Sequence, residues 1–220
     1  MFGIIPSGGF AEFAIARAAD LVRTPRNLDF IQCAALPLGA LTAWQALFDV
    51  AGLSRGQRLL ITASAGGVGS LAVQLAKAHG AHVTGMASTR NEAYVRQLGA
   101  DDFIDYTRQP FEQVAQAMDV VFDTVGGDTV ARAARSVRAG GVLVTAVAFP
   151  DAATQRPGIR VQRVQCRPDA AELARIRDLA EAGRLIPNVA TTLPLADVRQ
   201  ALDLSASGRT RGKIVLTLAA

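Results

Sequence analysis

The sequence predicts an α/β fold, a Rossmann-type doubly wound parallel sheet, and three observations carry that expectation. Short, continuously apolar runs such as residues 58–62 (RLLIT) and 120–124 (VVFDT) alternate with segments of helical spacing, the pattern of a parallel sheet covered on both faces. A glycine-rich turn at residues 65–69 joins the first of these strands to the first helix. Half of the 220 residues are hydrophobic and 19% are charged, a composition that supports a well-formed core.

The elements follow in order. After the strand at 58–62 and its glycine turn, residues 70–79 have helical spacing and Gly80 closes the helix, as a residue free to adopt positive φ does. A strand is expected at 82–86, a helix at 91–98 and a third strand at 102–106. The fourth strand, 120–124, leads to a helix that Asp128 or Thr129 is suited to cap. Its Val130, Ala133, Ala134 and Val137 share one face, and Gly140-Gly141 is expected to end it before a fifth strand at 142–147. The run that starts at Ile159 and ends at Gln165 (IRVQRVQ) alternates like an edge strand. Asp169 and Glu172 make a capping-box-like start to a helix carrying Leu173, Ile176 and Ala180. Pro187 and Pro194 bracket an extended stretch, a short helix follows at 196–204, and KIVLTL at 213–218 reads as a last strand. Nearer the N-terminus, residues 11–15 are strand-like, Thr24-Pro25 marks a turn, and an apolar helix is expected near 38–48.

Composition narrows the function. The net charge is +4, with 23 basic against 19 acidic residues. Only Lys77 and Lys213 are lysines, the arginines are scattered, and no stretch combines basic residues with aromatics. A nucleic-acid footprint needs clustered charge, so that partner is not expected. Cys33 and Cys166 are the only cysteines, too few for a disulfide framework or a four-thiolate zinc site. They read as reduced core thiols of a cytoplasmic protein. Residues 1–10 lack the basic and apolar regions of a signal peptide. No apolar run approaches membrane-spanning length.

The chemistry concentrates at Ser64-Ala65-Gly66-Gly67-Val68-Gly69. In a strand–turn–helix setting, Gly66 lets backbone approach a pyrophosphate and Gly69 lets the helix pack on its strand. The N–H groups of the helix start, with the dipole behind them, attract phosphate. The first glycine of the G-x-G-x-x-G fingerprint is replaced by Ser64, and a turn used only for packing is the competing reading. The second strand selects the nucleotide. An NAD site places Asp or Glu there for the ribose hydroxyls, but this strand ends Gly85-Met86-Ala87-Ser88-Thr89-Arg90. Ser88 and Arg90 are suited to a 2′-phosphate instead, which points to NADPH, although Arg90 also fits a solvated helix start. The missing acid further argues against a methyltransferase using S-adenosylmethionine.

The run LTAWQALFDVAGLSRGQRLLITASAGGVGSLAVQLAKAHGAHV, with LGADDFIDY, VVFDTVGG, GGVLVTAV and RGKIVLTL in order, resembles the medium-chain dehydrogenase/reductase superfamily in its zinc-free quinone oxidoreductase branch. The resemblance covers almost the whole chain. It implies NADPH-dependent hydride transfer to a quinone or α,β-unsaturated carbonyl. By position it places Ala65, Gly66, Gly67 and Val68 on the pyrophosphate, and Ser88 and Arg90 on the 2′-phosphate. Tyr106 falls beside the adenine ribose, Thr124, Val125 and Ala146 at the nicotinamide end, and Thr42 near the carboxamide. Without the resemblance, Tyr106 is equally a half-buried strand aromatic and Thr42 a residue bonded to its own helix. Zinc-dependent members carry a Cys ligand where this chain has Leu38; His79 and His82 read as solvated, and no metal is expected. The resemblance divides the chain into 1–42, the end of a GroES-like catalytic domain; 43–165, the Rossmann domain; and 166–220, a return to the catalytic domain. It implies a homodimer through the strand beginning at Ile159. No catalytic acid or base is identified. Two readings remain open at this point: a reductase, and an NADPH-binding module with little turnover because most of the GroES-like domain is absent.

Overall fold

Leu59, Leu60 and Ile61 are consecutive and all fully buried, so the strand that contains them is covered on both faces. This is the physical meaning of an apolar run without alternation. The computed structural model describes residues 1–147, 149 and 154–218; residues 148, 150–153 and 219–220, which fall in the expected domain spans, lie outside the described residues. In chain order the strands are β1 (Phe2–Gly3), β2 (Leu21–Val22), β3 (Arg58–Ile61), β4 (His82–Ala87), β5 (Asp102–Asp105), β6 (Met118–Asp123), β7 (Val137–Thr145), β8 (Arg160–Arg163), β9 (Val189–Pro194) and β10 (Lys213–Thr217). The helices are α1 (Phe30–Ala35), α2 (Pro37–Trp44), α3 (Gly69–His79), α4 (Glu92–Gln97), α5 (Phe111–Val114), α6 (Asp128–Ala134), α7 (Ala170–Glu181) and α8 (Val198–Ala206). Residues 45–50 continue from α2 as a π-helical stretch. The chain forms two compact units, residues 42–165 and residues 1–41 with 166–220.

The 42–165 unit is built on a six-stranded sheet in the order β5-β4-β3-β6-β7-β8, with every neighbouring pair parallel. This is the doubly wound order whose direction of progression reverses between β3 and β6, the place where such sheets bind ligands. On one face Leu60, Val121 and Leu143 pack with Phe111, Met118, Val130, Ala133 and Ala134. Gly80 closes α3 in the left-handed conformation, φ 89°, as expected. β8 lies at the edge, and its residues alternate between exposed and half-buried, also as the sequence predicts.

Two expectations in this unit are corrected. Gly140-Gly141 does not end a helix. α6 stops at Ala134, where Arg156 donates to the carbonyls of Ala134 and Arg135, both at 3.2 Å. Val137 then opens β7, and the glycine pair lies inside that strand, where the register with β6 shifts between Met118 and Val120. Gly140 has φ 76°, and a Cβ on Gly141 would stand 2.8 Å from the Asp119 carbonyl oxygen. Helix stops and strand bulges both ask for glycine, so the sequence alone misassigned the pair. Nor does Asp128 or Thr129 cap α6: the N-cap is Gly127, with no side-chain bond, and Asp128 sits in the first turn, where its charge favours the helix dipole.

The other unit holds a two-stranded antiparallel pair, β1 with β2, and a parallel pair, β9 with β10. Asp29 and Gln32 form a complete capping box on α1. At α7, Asp169 accepts from the Glu172 N–H at 3.0 Å, while the Glu172 carboxylate bonds Arg167 at 2.8 Å. Leu173, Ile176 and Ala180 are buried, as expected. Residues 11–15 form no strand; Phe13 and Ile15 are 89% and 95% exposed. Alternation creates a strand only where a partner edge exists, and among the described residues none pairs with this segment. The turn expected at Thr24-Pro25 falls at Arg26 and Asn27. Among the described residues, no helix is long and apolar enough to cross a membrane.

Candidate nucleotide-binding site

The loop after β3 turns back sharply. Ala63 adopts φ 45°, in the left-handed region, and the Gly66 N–H donates to its carbonyl at 2.8 Å. A Cβ on Gly69 would stand 2.3 Å from that same carbonyl oxygen, so α3 starts where only a hydrogen fits. Ser64 is fully buried, and both its N–H and its hydroxyl donate to the Met86 carbonyl, at 2.9 and 3.0 Å. The residue that departs from the fingerprint thus ties the loop to β4. Gly85 makes room for it: a Cβ there would lie 3.0 Å from Ser64 Oγ and 2.4 Å from Val95 Cγ1. α3 has Val68 as N-cap, no side-chain cap and no acid in its first turn. Its N-terminus, where the Ser70 N–H already donates to the Gly66 carbonyl at 3.0 Å, presents the positive end of the dipole with no side chain over it. Ala65 is buried, and Gly66, Gly67 and Val68 are half-buried.

The carboxyl ends of β3, β6 and β7 are knotted around Asp123, which is fully buried. One carboxylate oxygen accepts from the Thr62 hydroxyl at 2.9 Å and from the Val125 N–H at 3.3 Å. The other accepts from the Thr145 hydroxyl at 3.1 Å and the Gly126 N–H at 3.0 Å. Thr124 adds two bonds to Thr62, through its N–H at 2.9 Å and its hydroxyl at 2.8 Å. A buried carboxylate is tolerated because its lone pairs are filled. The result is a fixed shelf presenting Thr124, Val125 and, after β7, Ala146, whose N–H donates to the Asp123 carbonyl at 2.9 Å. Val125 is 45% exposed on that shelf. Sequence reasoning passed over Thr62, Asp123 and Thr145. Their signal is positional: each is a polar residue directly after the apolar run of its strand.

At the ends of β4 and β5 the arrangement is more open. Ser88 is half-buried, Arg90 is exposed and Tyr106 is 53% exposed. β4 carries no acid at its end, but its neighbour does: Asp105 pairs in register with Ala87. The Asp105 carboxylate takes the Thr107 hydroxyl at 2.7 Å, the Thr107 N–H at 2.9 Å and the Thr89 hydroxyl. Arg108 Nε lies 3.4 Å from the oxygen that Thr89 bonds. The hydroxyls of Thr107 and Thr89 hold its pKa below the usual carboxylate value.

The strand ends therefore bring together Ala65, Gly66, Gly67, Val68, Thr124, Val125 and Ala146 around β3, β6 and β7, with Ser88, Arg90 and Tyr106 further along the same edge. Thr42 is a buried residue of α2. Both histidines are exposed, as expected: the His79 ring lies 4.9 Å from that of Phe48, and His82 Nε2 is 2.7 Å from an Asp102 carboxylate oxygen. Cys33 is buried with its thiol 3.8 Å from the Leu28 carbonyl. Among the described residues no three His, Cys, Asp or Glu side chains converge on a point.

The sheet order and the glycine loop at its reversal point define a Rossmann-type α/β protein. Comparison with known proteins refines this. The family described as zinc-binding dehydrogenase matches residues 98–216. A probable mitochondrial zinc-binding oxidoreductase of Arthroderma benhamiae is 34% identical over 96% of this chain and 69% of its own length. A chloroplastic NADPH-dependent alkenal/one oxidoreductase of Arabidopsis thaliana is 36% identical over 95% of the chain and 53% of its own length. Among solved structures, a quinone oxidoreductase of Pseudomonas syringae superposes with a TM-score of 0.88 at 28% identity, covering 98% of this chain and 73% of that one. The chain belongs to the zinc-binding dehydrogenase family of oxidoreductases, within the medium-chain dehydrogenase/reductase superfamily. It spans only part of the length of these relatives.

Proposed function

We propose that this chain binds NADPH and serves hydride transfer to a quinone or α,β-unsaturated carbonyl, without zinc. The observation that carries the reading is the uncapped N-terminus of α3, set behind the Gly66–Gly69 turn at the point where the sheet order reverses. Backbone donors and a helix dipole there suit a pyrophosphate, and the glycines leave the cradle unfilled. Bound NADPH supplies the hydride; the protein's part is to orient and shield. Ala65 to Val68 hold the pyrophosphate, Ser88 and Arg90 meet the 2′-phosphate, and Tyr106 lies along the adenosine. The Asp123 shelf sets Thr124, Val125 and Ala146 against the nicotinamide, so that one ring face is directed at the acceptor.

The residues do not fit a zinc centre: Leu38 stands where zinc-dependent members have cysteine, and among the described residues no three His, Cys, Asp or Glu side chains come together. The exposed edge of β8 is proposed to pair with a second copy, satisfying its free backbone groups. The relatives named for NADPH-dependent alkenal/one reduction and for quinone oxidoreduction support the choice of cofactor and acceptor class. The test is to measure NADPH affinity by titration, then NADPH oxidation with a quinone and with an enal. Micromolar binding with acceptor-dependent oxidation is expected. Binding without turnover favours the binding-module reading, and absence of binding overturns both.

A further inference from the structure

β4 ends without an acid, yet the Asp105 carboxylate stands beside its last residue, one side chain from the Ser88–Arg90 turn. An acid at the end of β4 itself would accept from a ribose hydroxyl and favour NADH. Here three of the carboxylate's roughly four acceptor positions are taken. Thr107 holds one oxygen through two donors, at 2.7 and 2.9 Å, and Thr89 holds the other. Arg108, 73% exposed at its side chain, flanks the second oxygen at 3.4 Å. With the remaining position flanked by a guanidinium, the carboxylate offers little acceptor capacity to a ribose, and that guanidinium offsets its charge toward a phosphate.

We infer that Asp105 is a concealed selectivity residue, which Thr89 and Thr107 hold away from the ribose so that the site takes the 2′-phosphorylated nucleotide. This rests on the reading that the end of β4 receives the adenosine ribose. Thr89 is the critical member, because it lies between Ser88 and Arg90 in the chain and couples their turn to the acid. Removing its hydroxyl leaves the charge in place and frees one oxygen. Removing the charge as well abolishes the effect of freeing it.

The experiment measures NADPH and NADH dissociation constants for the unaltered chain, Thr89→Val, Thr107→Val and the double variant Thr89→Val/Asp105→Asn, with thermal unfolding as a control for folding. The expected result for Thr89→Val is a shift of the NADPH/NADH preference toward NADH by about tenfold, the scale of one charged hydrogen bond. Thr107→Val shifts it the same way by less, since the Thr107 N–H remains. In the double variant the preference returns to NADPH. An unchanged ratio in Thr89→Val overturns the inference, and so does a shift that persists in the double variant, which marks simple loosening of the turn. If the unaltered chain binds NADPH and Arg90→Ala weakens it while Thr89→Val leaves the ratio alone, only this inference falls. If the unaltered chain binds neither nucleotide, the parent reading falls with it.

Discussion

Two aspartates stand at the carboxyl edge of the same sheet, and their surroundings set them apart. Asp123, on the central strand β6, is fully buried and bound only by neutral groups: two threonine hydroxyls and two backbone N–H donors. Asp105, on the outer strand β5, has a similar set of hydroxyl and backbone donors, but an arginine lies beside it and its rim neighbours are exposed. The central acid joins three strand ends and fixes the shape of a shelf. The outer acid joins two turns and leaves the shape of the sheet alone. Position in the sheet sets what each carboxylate ties together: strand ends for Asp123, rim turns for Asp105.

The sharpest way to break the comparison is Asp123→Ala. It orphans two hydroxyls and two N–H groups in a dry site, at roughly 1–3 kcal/mol each. A stability loss above about 3 kcal/mol by denaturant unfolding is expected; a loss below about 1 kcal/mol would mean that water replaces the carboxylate and the shelf is not fixed by it. Gly69→Ala comes next. Its Cβ would meet backbone, not a movable side chain, so the loop must open; nucleotide binding should become undetectable while the sheet still unfolds cooperatively. Arg90→Ala is expected to weaken NADPH by about tenfold to a hundredfold, the range of one charged hydrogen bond, with NADH nearly unchanged.

Acid titration sharpens the contrast at the outer site. The pKa of folded Asp105 is depressed by the Thr107 and Thr89 hydroxyls. Its contribution is therefore fully present above the unfolded value of about 3.9 and fades as pH falls through the lower folded value. The difference in unfolding temperature between the unaltered chain and Asp105→Asn should be constant from pH 7 to about pH 5 and shrink below about pH 4. A gap that widens on acidification contradicts this. The smallest effect concerns assembly. Val161→Pro removes one donor from β8 and should lower the dimer fraction seen by light scattering at micromolar concentration, with nucleotide affinity unchanged; an unaffected dimer places the interface elsewhere.

The sequence made the central sheet readable because its rules are local. Leu59, Leu60 and Ile61 announce a strand buried on both faces, Gly80 a left-handed helix end, and the alternation after Ile159 an edge. Where two local structures ask for the same residue the reading failed, as at Gly140-Gly141, a bulge that resembles a helix stop. It failed again at residues 11–15, because alternation describes a strand's faces and not its partner. In the candidate site, the glycine loop was legible from spacing. Asp105 was not, because it reaches the end of β4 from another strand, and only the register of Ala87 against Asp105 brings it there. Asp123 was quoted within an apolar run, yet its partners Thr62 and Thr145 lie 61 and 22 residues away.

The substitution of serine for the first glycine of the fingerprint reaches beyond the loop. Ser64 packs closely over Gly85, where a Cβ would lie 3.0 Å from its Oγ, and the space on the other side of Gly85 is filled by Val95, 2.4 Å from that Cβ. These three positions are in mutual contact range. A lineage that replaced Gly85 with alanine would have to move or shorten Val95 and ease Ser64 aside by a few tenths of an ångström. Descendants of this chain should therefore keep the trio intact or exchange it whole, and a library that varies the three positions together should recover folded members that single-site libraries miss.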